Sequence, residues 1–201
     1  MVRRLMGAIL LMAGIAIVLY PYFKGHQELD QQAELVASFE QLGNTERLEE
    51  LSSSLQPGDD PDVLEKLQGA RGVLRIPRID LEIVIFEGSS LETLSAGIGM
   101  IEPGKEIGAH NVGLAGHRAL TYGKQFNRVG ELESGDVIEV KTQEKQLTFI
   151  VKDSFVVPKT RVDVLNDNGE PMLTLVTCTP AGKKNPPDRL IITAELQLES
   201  P

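Results

Sequence analysis

The feature that most constrains the fold is a series of short apolar and β-branched segments that begins near Gly72. Glycine, proline or small polar residues separate these segments, as expected for strands joined by turns. The pattern predicts an all-β domain, a sandwich or a barrel, with about seven to nine strands. Leu91–Gly97 is predicted to form one helical turn. The clearest predicted strands are Val73–Pro77, Leu81–Phe86, Val112–Gly116, Asp136–Lys141, Leu147–Val157, Met172–Cys178 and Arg189–Leu198.

The first 25 residues have a different composition. Residues 5–23 carry no charged side chain, which is close to the ~20 residues that a helix needs to cross a bilayer core. Arg3 and Arg4 precede this run, and aromatic residues close it, as at a membrane interface. A cleaved signal peptide is the alternative, but no clean small-residue cleavage site follows. We predict a single-pass N-terminal transmembrane anchor over residues 1–25, with the remaining chain extracellular.

Residues 26–68 form a predicted acidic, partly helical linker. They contain eleven Asp or Glu residues against two basic residues. A spacing of three and four predicts an amphipathic helix up to Gly43, with the apolar positions Leu29, Ala33, Val36, Phe39 and Leu42. A second short helix is predicted over 45–55, with a break at 56–61. The segment is either a stalk that an anionic membrane repels, or a helix that packs on the following domain or covers its groove.

The composition of the whole chain narrows the classes of function that it can have. The net charge of −9 and the absence of tryptophan argue against nucleic-acid binding. A single cysteine excludes an intramolecular disulfide framework. The three histidines, His26, His110 and His117, form no spaced cluster with the cysteine of the kind that binds zinc. The sequence therefore predicts no cofactor and no metal.

The only cysteine, Cys178, ends the predicted strand Met172–Cys178, and Pro180 follows two residues later. A thiol at a strand end can face a groove, although a lone cysteine in an apolar run is most often a small buried residue. A catalytic thiol also needs a base or cation and a donor for the oxyanion. The chain has one good candidate for each.

His117 ends the apolar run Asn111–His117, and Arg189 opens the strand that follows the loop after Cys178. If the two strands that carry Cys178 and Arg189 pair antiparallel, these two residues lie side by side. His110, in a turn-like segment, is the weaker histidine candidate, and His26 is predicted to be interfacial. Arg118 is the weaker arginine candidate, because its side chain should point opposite to that of His117.

Three motifs together resemble the sortases, the cysteine transpeptidases of Gram-positive cell surfaces. They are Leu-Ala-Gly-His-Arg at His117, Thr-Leu-Val-Thr-Cys at Cys178 and Arg-Leu-Ile-Ile at Arg189. The resemblance covers about residues 70–198 and implies an eight-stranded barrel. It implies that Cys178 is the nucleophile that forms a thioester, and that His117 is the general acid and base. It also implies that Arg189 donates to the oxyanion or substrate carbonyl, and that Thr177 and Thr179 contact substrate.

Sortases cut a Leu-Pro-x-Thr-like signal after the threonine and join the protein to a cell-wall or pilin amine. The resemblance therefore implies two partners for this chain, a secreted protein that bears such a signal and an amine acceptor. The N-terminal anchor and the Thr-Cys-Thr-Pro sequence look most like class D sortases, which tend to use signals ending in alanine. The absence of an aromatic residue after Asp60-Pro61 argues against the lid of pilus-building sortases. Two alternatives remain: a β-barrel binding module with a structural cysteine, and a thiol hydrolase on the same scaffold.

Overall fold

A computed structural model describes residues 2–42, 67–118 and 125–198. Two α-helices occur in these residues: α1 (Val2–Leu42) and the short α2 (Leu91–Ala96). Short 3₁₀ turns lie at Pro77–Ile79, Val129–Glu131 and Asp163–Leu165. The strands are β1 (Ala70–Ile76), β2 (Leu81–Phe86), β3 (Ile98–Met100), β4 (Asn111–Ala115), β5 (Val137–Lys141), β6 (Gln146–Pro158), β7 (Met172–Thr179) and β8 (Asp188–Leu196).

The strands close into a barrel in the order β1-β2-β3-β4-β7-β8-β6-β5. Neighbouring strands pair antiparallel except β2 with β3 and β4 with β7, which are parallel. The eight-stranded barrel and the helical turn after β2 are therefore confirmed. The strand that the sequence pattern missed is β3, because three residues are too few to show an alternation.

The barrel interior is filled by the inward-facing residues of every strand. On β7 and β8 the pairs Leu173–Ala194 and Leu175–Ile192 are directly opposite each other, and all four residues are at most 1% exposed. Leu74, Phe126 and Phe149 are buried in the same core, and they come from other parts of the barrel. Since successive residues of a strand point to opposite faces, the residues between these pairs face the outside of the barrel.

The chain divides into two compact units, Met1–Gln31 and Gln32–Pro201. Within the second unit, the end of α1 packs on the outer face of β1 and β2. Leu35, Val36 and Phe39 form a small core there, and they contact Leu67, Val73, Val84 and Phe86. Of the two alternatives for residues 26–68, a stalk or a packed helix, the packed helix fits this part of α1. The predicted apolar face was only partly right, because Leu29 is exposed and Leu35 is buried.

The prediction of a membrane-spanning helix is not supported. In the ranges that the structure describes, no helix has both the length and the apolar character needed to cross a bilayer. Three predictions lie outside the described residues. They are the second helix at 45–55, the break at 56–61 and the absence of a lid, which was argued from Asp60-Pro61. The division into 1–25, 26–68 and 69–201 stays a prediction.

Candidate active site

Cys178 and Arg189 occupy directly opposite positions on the antiparallel strands β7 and β8. The preceding pair, Thr177 and Leu190, is buried at 2% and 7% exposure and faces the barrel interior. Cys178 and Arg189 therefore lie together on the outer face, and both are half-buried. This confirms the predicted juxtaposition of the two strand ends. The alternative of a fully buried cysteine does not fit the partial exposure of Cys178.

His117 reaches the same place through the parallel pairing of β4 with β7. The last pair in that register is Ala115 with Val176, and His117 and Cys178 each lie two residues further along. The Gly116 N–H donates to the Val176 carbonyl at 3.2 Å, which continues the alignment past the end of β4. His117 is exposed and is aligned with Cys178. The three predicted site residues are thus brought to one end and one face of the barrel.

The main chain on either side of His117 is tightly held. The Thr177 hydroxyl donates to the Gly116 carbonyl at 2.7 Å, and a Cβ on Gly116 would lie 2.6 Å from the Phe126 ring. The His117 N–H donates to the Gln125 side-chain oxygen at 2.9 Å, and the Phe126 N–H donates to the His117 carbonyl at 3.1 Å. Only glycine at position 116 lets the two segments approach so closely.

Thr177 requires a correction. Its side chain faces the interior at 2% exposure, and its hydroxyl is bonded to Gly116. A side chain enclosed in this way cannot reach a substrate on the outer face. Its hydroxyl instead fixes the residue before His117. The sequence motif did not reveal this, because the resemblance assigns residues to a site without giving their direction.

Thr179 and Arg118 form a second link between the two catalytic segments. Arg118 Nη1 donates a hydrogen bond to the Thr179 hydroxyl at 2.9 Å. Because Arg118 follows His117 and Thr179 follows Cys178, this hydrogen bond joins the two catalytic segments. Arg118 Nε is buried and has no hydrogen-bond partner among the described residues. As predicted, Arg118 is not directed with His117 toward the outer face. Both Thr179 and Arg118 are half-buried, and the substrate contact of Thr179 stays a prediction.

The Arg189 guanidinium is bonded to main chain rather than to a carboxylate. Its Nη1 donates to the carbonyls of Pro186 and Asp188, at 3.1 and 2.9 Å. No Asp or Glu in the described part of the chain pairs with it, so the alternative of a strand-end ion pair is not supported. Its remaining N–H groups have no hydrogen bond to described residues. An arginine held at one nitrogen can present the others to a carbonyl oxygen.

His110 lies away from this site. It immediately precedes β4, whereas His117 follows β4, so the strand separates them. Its Nδ1 is 2.7 Å from a carboxylate oxygen of Asp167, and this bond holds the pKa of Asp167 below its ordinary value. The imidazole is about half exposed. The interpretation of His110 as a solvated loop residue is consistent with this position. The structure does not describe the side chain of His26.

The arrangement provides the groups that acyl transfer from a peptide requires. A half-buried thiol can act as nucleophile, an aligned imidazole can transfer protons, and a guanidinium can stabilise a developing oxyanion. Gln125 is the residue of the site that the sequence pattern did not reveal. It falls within the segment 119–126, whose loop composition predicts that it shapes the substrate groove, but no signal distinguished Gln125 from its neighbours.

Comparisons with known proteins agree on one family. The family model described as the Sortase domain matches residues 74–197. The chain is 24% identical to Sortase A of Bacillus anthracis, over 94% of this chain and 91% of that protein. It is 30% identical to Sortase D of Bacillus subtilis, over 61% and 62%. The solved structure of a Clostridium perfringens Sortase D5 transpeptidase has a TM-score of 0.63 at 27% identity, covering 84% of this chain and 99% of that chain.

Proposed function

The chain belongs to the sortase family of cysteine transpeptidases, and we propose that Cys178, His117 and Arg189 carry out its reaction. The observation that carries the proposal is the cross-strand pair of Cys178 and Arg189, at the strand end where the register also places His117. Exposure supports the same roles, because the imidazole is open to solvent and the thiol and guanidinium are partly open.

The reaction proceeds through two proton transfers at His117. The Cys178 thiolate attacks the carbonyl carbon of the scissile peptide bond and forms a tetrahedral intermediate. As the C–N bond breaks, the His117 imidazolium gives its proton to the leaving amine, which leaves a thioester. The neutral imidazole then removes a proton from the incoming amine. The new C–N bond forms and the Cys178 thiolate is released, so no net proton or electron is consumed.

Arg189 stabilises the negative charge that forms on the attacked oxygen in each tetrahedral intermediate. A guanidinium offers several N–H donors in one plane, and the Arg189 Nη1 is held by hydrogen bonds to the carbonyls of Pro186 and Asp188. A fixed donor needs little reorganisation as the charge develops, which is the property that makes such groups catalytic. The main-chain N–H of Thr179 is a second candidate donor.

We propose as substrate a secreted protein with a Leu-Pro-x-Thr-Ala or Leu-Pro-x-Thr-Gly signal, cut after the threonine. The acceptor is a cell-wall precursor or pilin amine. Likeness to proteins described as Sortase D and Sortase D5 supports class D, and the resemblance to class D is the basis for proposing the signal that ends in alanine. The segment Ala181–Asp188, which links β7 to β8 and is largely exposed, is positioned to shape the groove beside Cys178.

We further propose that the domain acts outside the cell, attached to the membrane through residues 5–23. This part rests on the sequence: the run is uncharged and Arg3 and Arg4 precede it. Fractionation of cells that produce the full chain tests it. The protein should pellet with membranes and resist carbonate extraction, and external protease should degrade it in intact wall-less cells. Release of the full-length protein by carbonate would contradict the anchor.

The reaction is tested by intact-mass spectrometry of the full chain in detergent, with peptides ending in Leu-Pro-x-Thr-Ala or Leu-Pro-x-Thr-Gly. An acyl adduct that is absent from Cys178→Ala, and a peptide joined to an added amine, are the expected results. His117→Ala should stop transfer, whereas His110→Ala is the matched control at the other end of β4. Hydrolysed peptide without any amine product would indicate the thiol hydrolase. A folded protein with no adduct from any peptide would indicate the binding module.

A further inference from the structure

We infer that Gln125 is a positioning residue for His117, acting through the main chain of the histidine. The inference rests on the proposed role of His117 in acyl transfer. Gln125 joins three parts of the fold at one point: the His117 main chain, the end of α2 and its own turn before Phe126. Hydrogen bonds make the first two connections, and the positive φ of Gln125 marks the turn.

His117 lies beyond the strand ladder that holds the rest of its segment. β4 ends at Ala115, so the pairing with β7 no longer fixes the main chain of His117 directly. Its N–H donates to Gln125 Oε1 at 2.9 Å. The Gln125 side chain thus accepts the hydrogen bond from the His117 main-chain N–H. Within a strand, a carbonyl of the neighbouring strand would be the acceptor.

Gln125 is itself anchored to α2. Its Nε2 donates to the Leu94 carbonyl at 2.7 Å, with a longer contact of 3.4 Å to the Gly97 carbonyl. The last carbonyls of a helix have no partner within the helix, and the Gln125 amide satisfies one of them. The side chain therefore bridges from the helix end to the histidine, and both ends of its amide group are used.

The backbone of Gln125 indicates that the side chain is required there. Its φ is +41°, in the left-handed region that favours glycine and costs energy for a residue with a Cβ. A turn that needed only this conformation would be served better by glycine. The half-buried glutamine makes instead the hydrogen bonds to His117 and Leu94, and these offset the cost of the conformation.

The His117 ring has no other orienting group in the part of the chain that the structure describes, since no described side chain hydrogen-bonds to the imidazole. In many nucleophile–base pairs a third residue bonds to the base and orients it. Here the direction of the ring depends on where the His117 main chain is placed. Gln125 sets that placement from one side, and the Phe126 N–H sets it from the other.

The test uses Gln125→Gly in the full chain. Glycine adopts the positive φ of this position readily, but it cannot form the side-chain hydrogen bonds to His117 and Leu94. We expect kcat for peptide transfer to fall by about tenfold to a hundredfold, with KM within about twofold of wild type. The NMR signals of the His117 ring should shift while those of His110 do not. Gln143→Gly, an exposed glutamine in the β5–β6 turn, is the control and should match wild type.

A second variant, Gln125→Glu, keeps an oxygen that can accept from the His117 N–H and should recover part of the lost kcat. The inference is overturned if Gln125→Gly keeps kcat within about twofold of wild type. It is also overturned if kcat falls only in proportion to the folded fraction while the His117 ring signals stay in place. Failure of the proposed function gives a different result, since Cys178→Ala would then still form adduct or wild type would form none.

Discussion

Cys178 and Arg189 face each other across two antiparallel strands, on the outer face of a closed barrel. Strand pairing fixes their main-chain positions, so their relative placement does not depend on a flexible loop. Arg189 is also bonded to the carbonyls of Pro186 and Asp188, which orients its guanidinium. A nucleophile and a charged donor are therefore preorganised on rigid elements, and only the side chains have to adjust to a substrate.

Replacement of Arg189 by lysine tests the importance of the planar guanidinium. Lysine keeps the positive charge, but it has a single nitrogen on a flexible side chain. It therefore lacks the planar group that can donate to the two carbonyls from one nitrogen and to a substrate oxygen from another. We expect Arg189→Lys to lower kcat by about 10²-fold or more, with the barrel intact by circular dichroism. Arg161→Lys is the control, since Arg161 is an exposed residue that pairs with Asp163. Equal kcat values for Arg189→Lys and wild type would exclude the proposed role.

The pH dependence of transfer tests the pairing of thiolate with imidazolium. Attack needs the thiolate and departure of the amine needs the imidazolium, so kcat/KM should pass through a maximum between about pH 5 and pH 10. His110→Ala should leave the shape of the profile unchanged. A rate that rises continuously over this interval would argue against His117 as the acid.

The sequence pattern was sufficient to predict most of the strands, because the strands that could be recognised are long enough to show alternation or a continuous apolar run. β7 is such a strand, with buried Leu173 and Leu175. Strand order was not accessible in the same way. The parallel pairing of β4 with β7 joins segments about 60 residues apart in sequence, and no local pattern encodes it. The family resemblance supplied the barrel instead.

Two properties that can be read from the sequence, residue type and position at a strand end, were enough to predict the main residues of the site. Cys178 and Arg189 follow from two strands joined by one loop, which pair with each other by default. Gln125 could not be predicted, because its role depends on contacts with Leu94 and His117 that exist only after folding. The inward direction of the Thr177 side chain was missed for a different reason: strand alternation beside Cys178 gives it, but the substrate contact was assigned from the resemblance alone.

The link between Arg118 and Thr179 predicts a loss of stability and of catalytic rate in Thr179→Val. Valine has the shape of threonine but cannot accept the hydrogen bond from Arg118 Nη1, and Arg118 Nε is already buried without a described partner. We expect the free energy of unfolding to fall by about 1–3 kcal/mol, measured by urea denaturation.

Thr179→Ser restores the acceptor and is expected to behave like wild type. The kinetic constants separate this structural role from direct substrate contact. If the hydroxyl acts only through Arg118, Thr179→Val should lower kcat with little change in KM. A large rise in KM with unchanged stability would show instead that the Thr179 hydroxyl binds the substrate, as the resemblance implies.

The docked end of α1 predicts a pH-dependent contribution to stability from Glu40. Its carboxylate lies 2.7 Å from Arg75 Nη2 and 3.0 Å from Lys141 Nζ, and the hydrogen bonds from Arg75 and then Lys141 hold its pKa below the ordinary value of 4.5. A carboxyl with a lowered pKa stabilises the folded state above its unfolded pKa. That contribution is lost as the pH falls through the lowered value.

Glu40→Gln should therefore reduce the free energy of unfolding at pH 7 by up to about 1 kcal/mol, since the carboxylate is partly exposed. The difference from wild type should shrink as the pH falls below 4.5 and vanish once the carboxyl is protonated in both states. Glu34→Gln, an exposed position on α1, is the control and should show no such trend. Urea denaturation of the three proteins over a pH series measures this. A Glu40→Gln difference that stays constant with pH would mean that the ion pairs are not the source of the stabilisation.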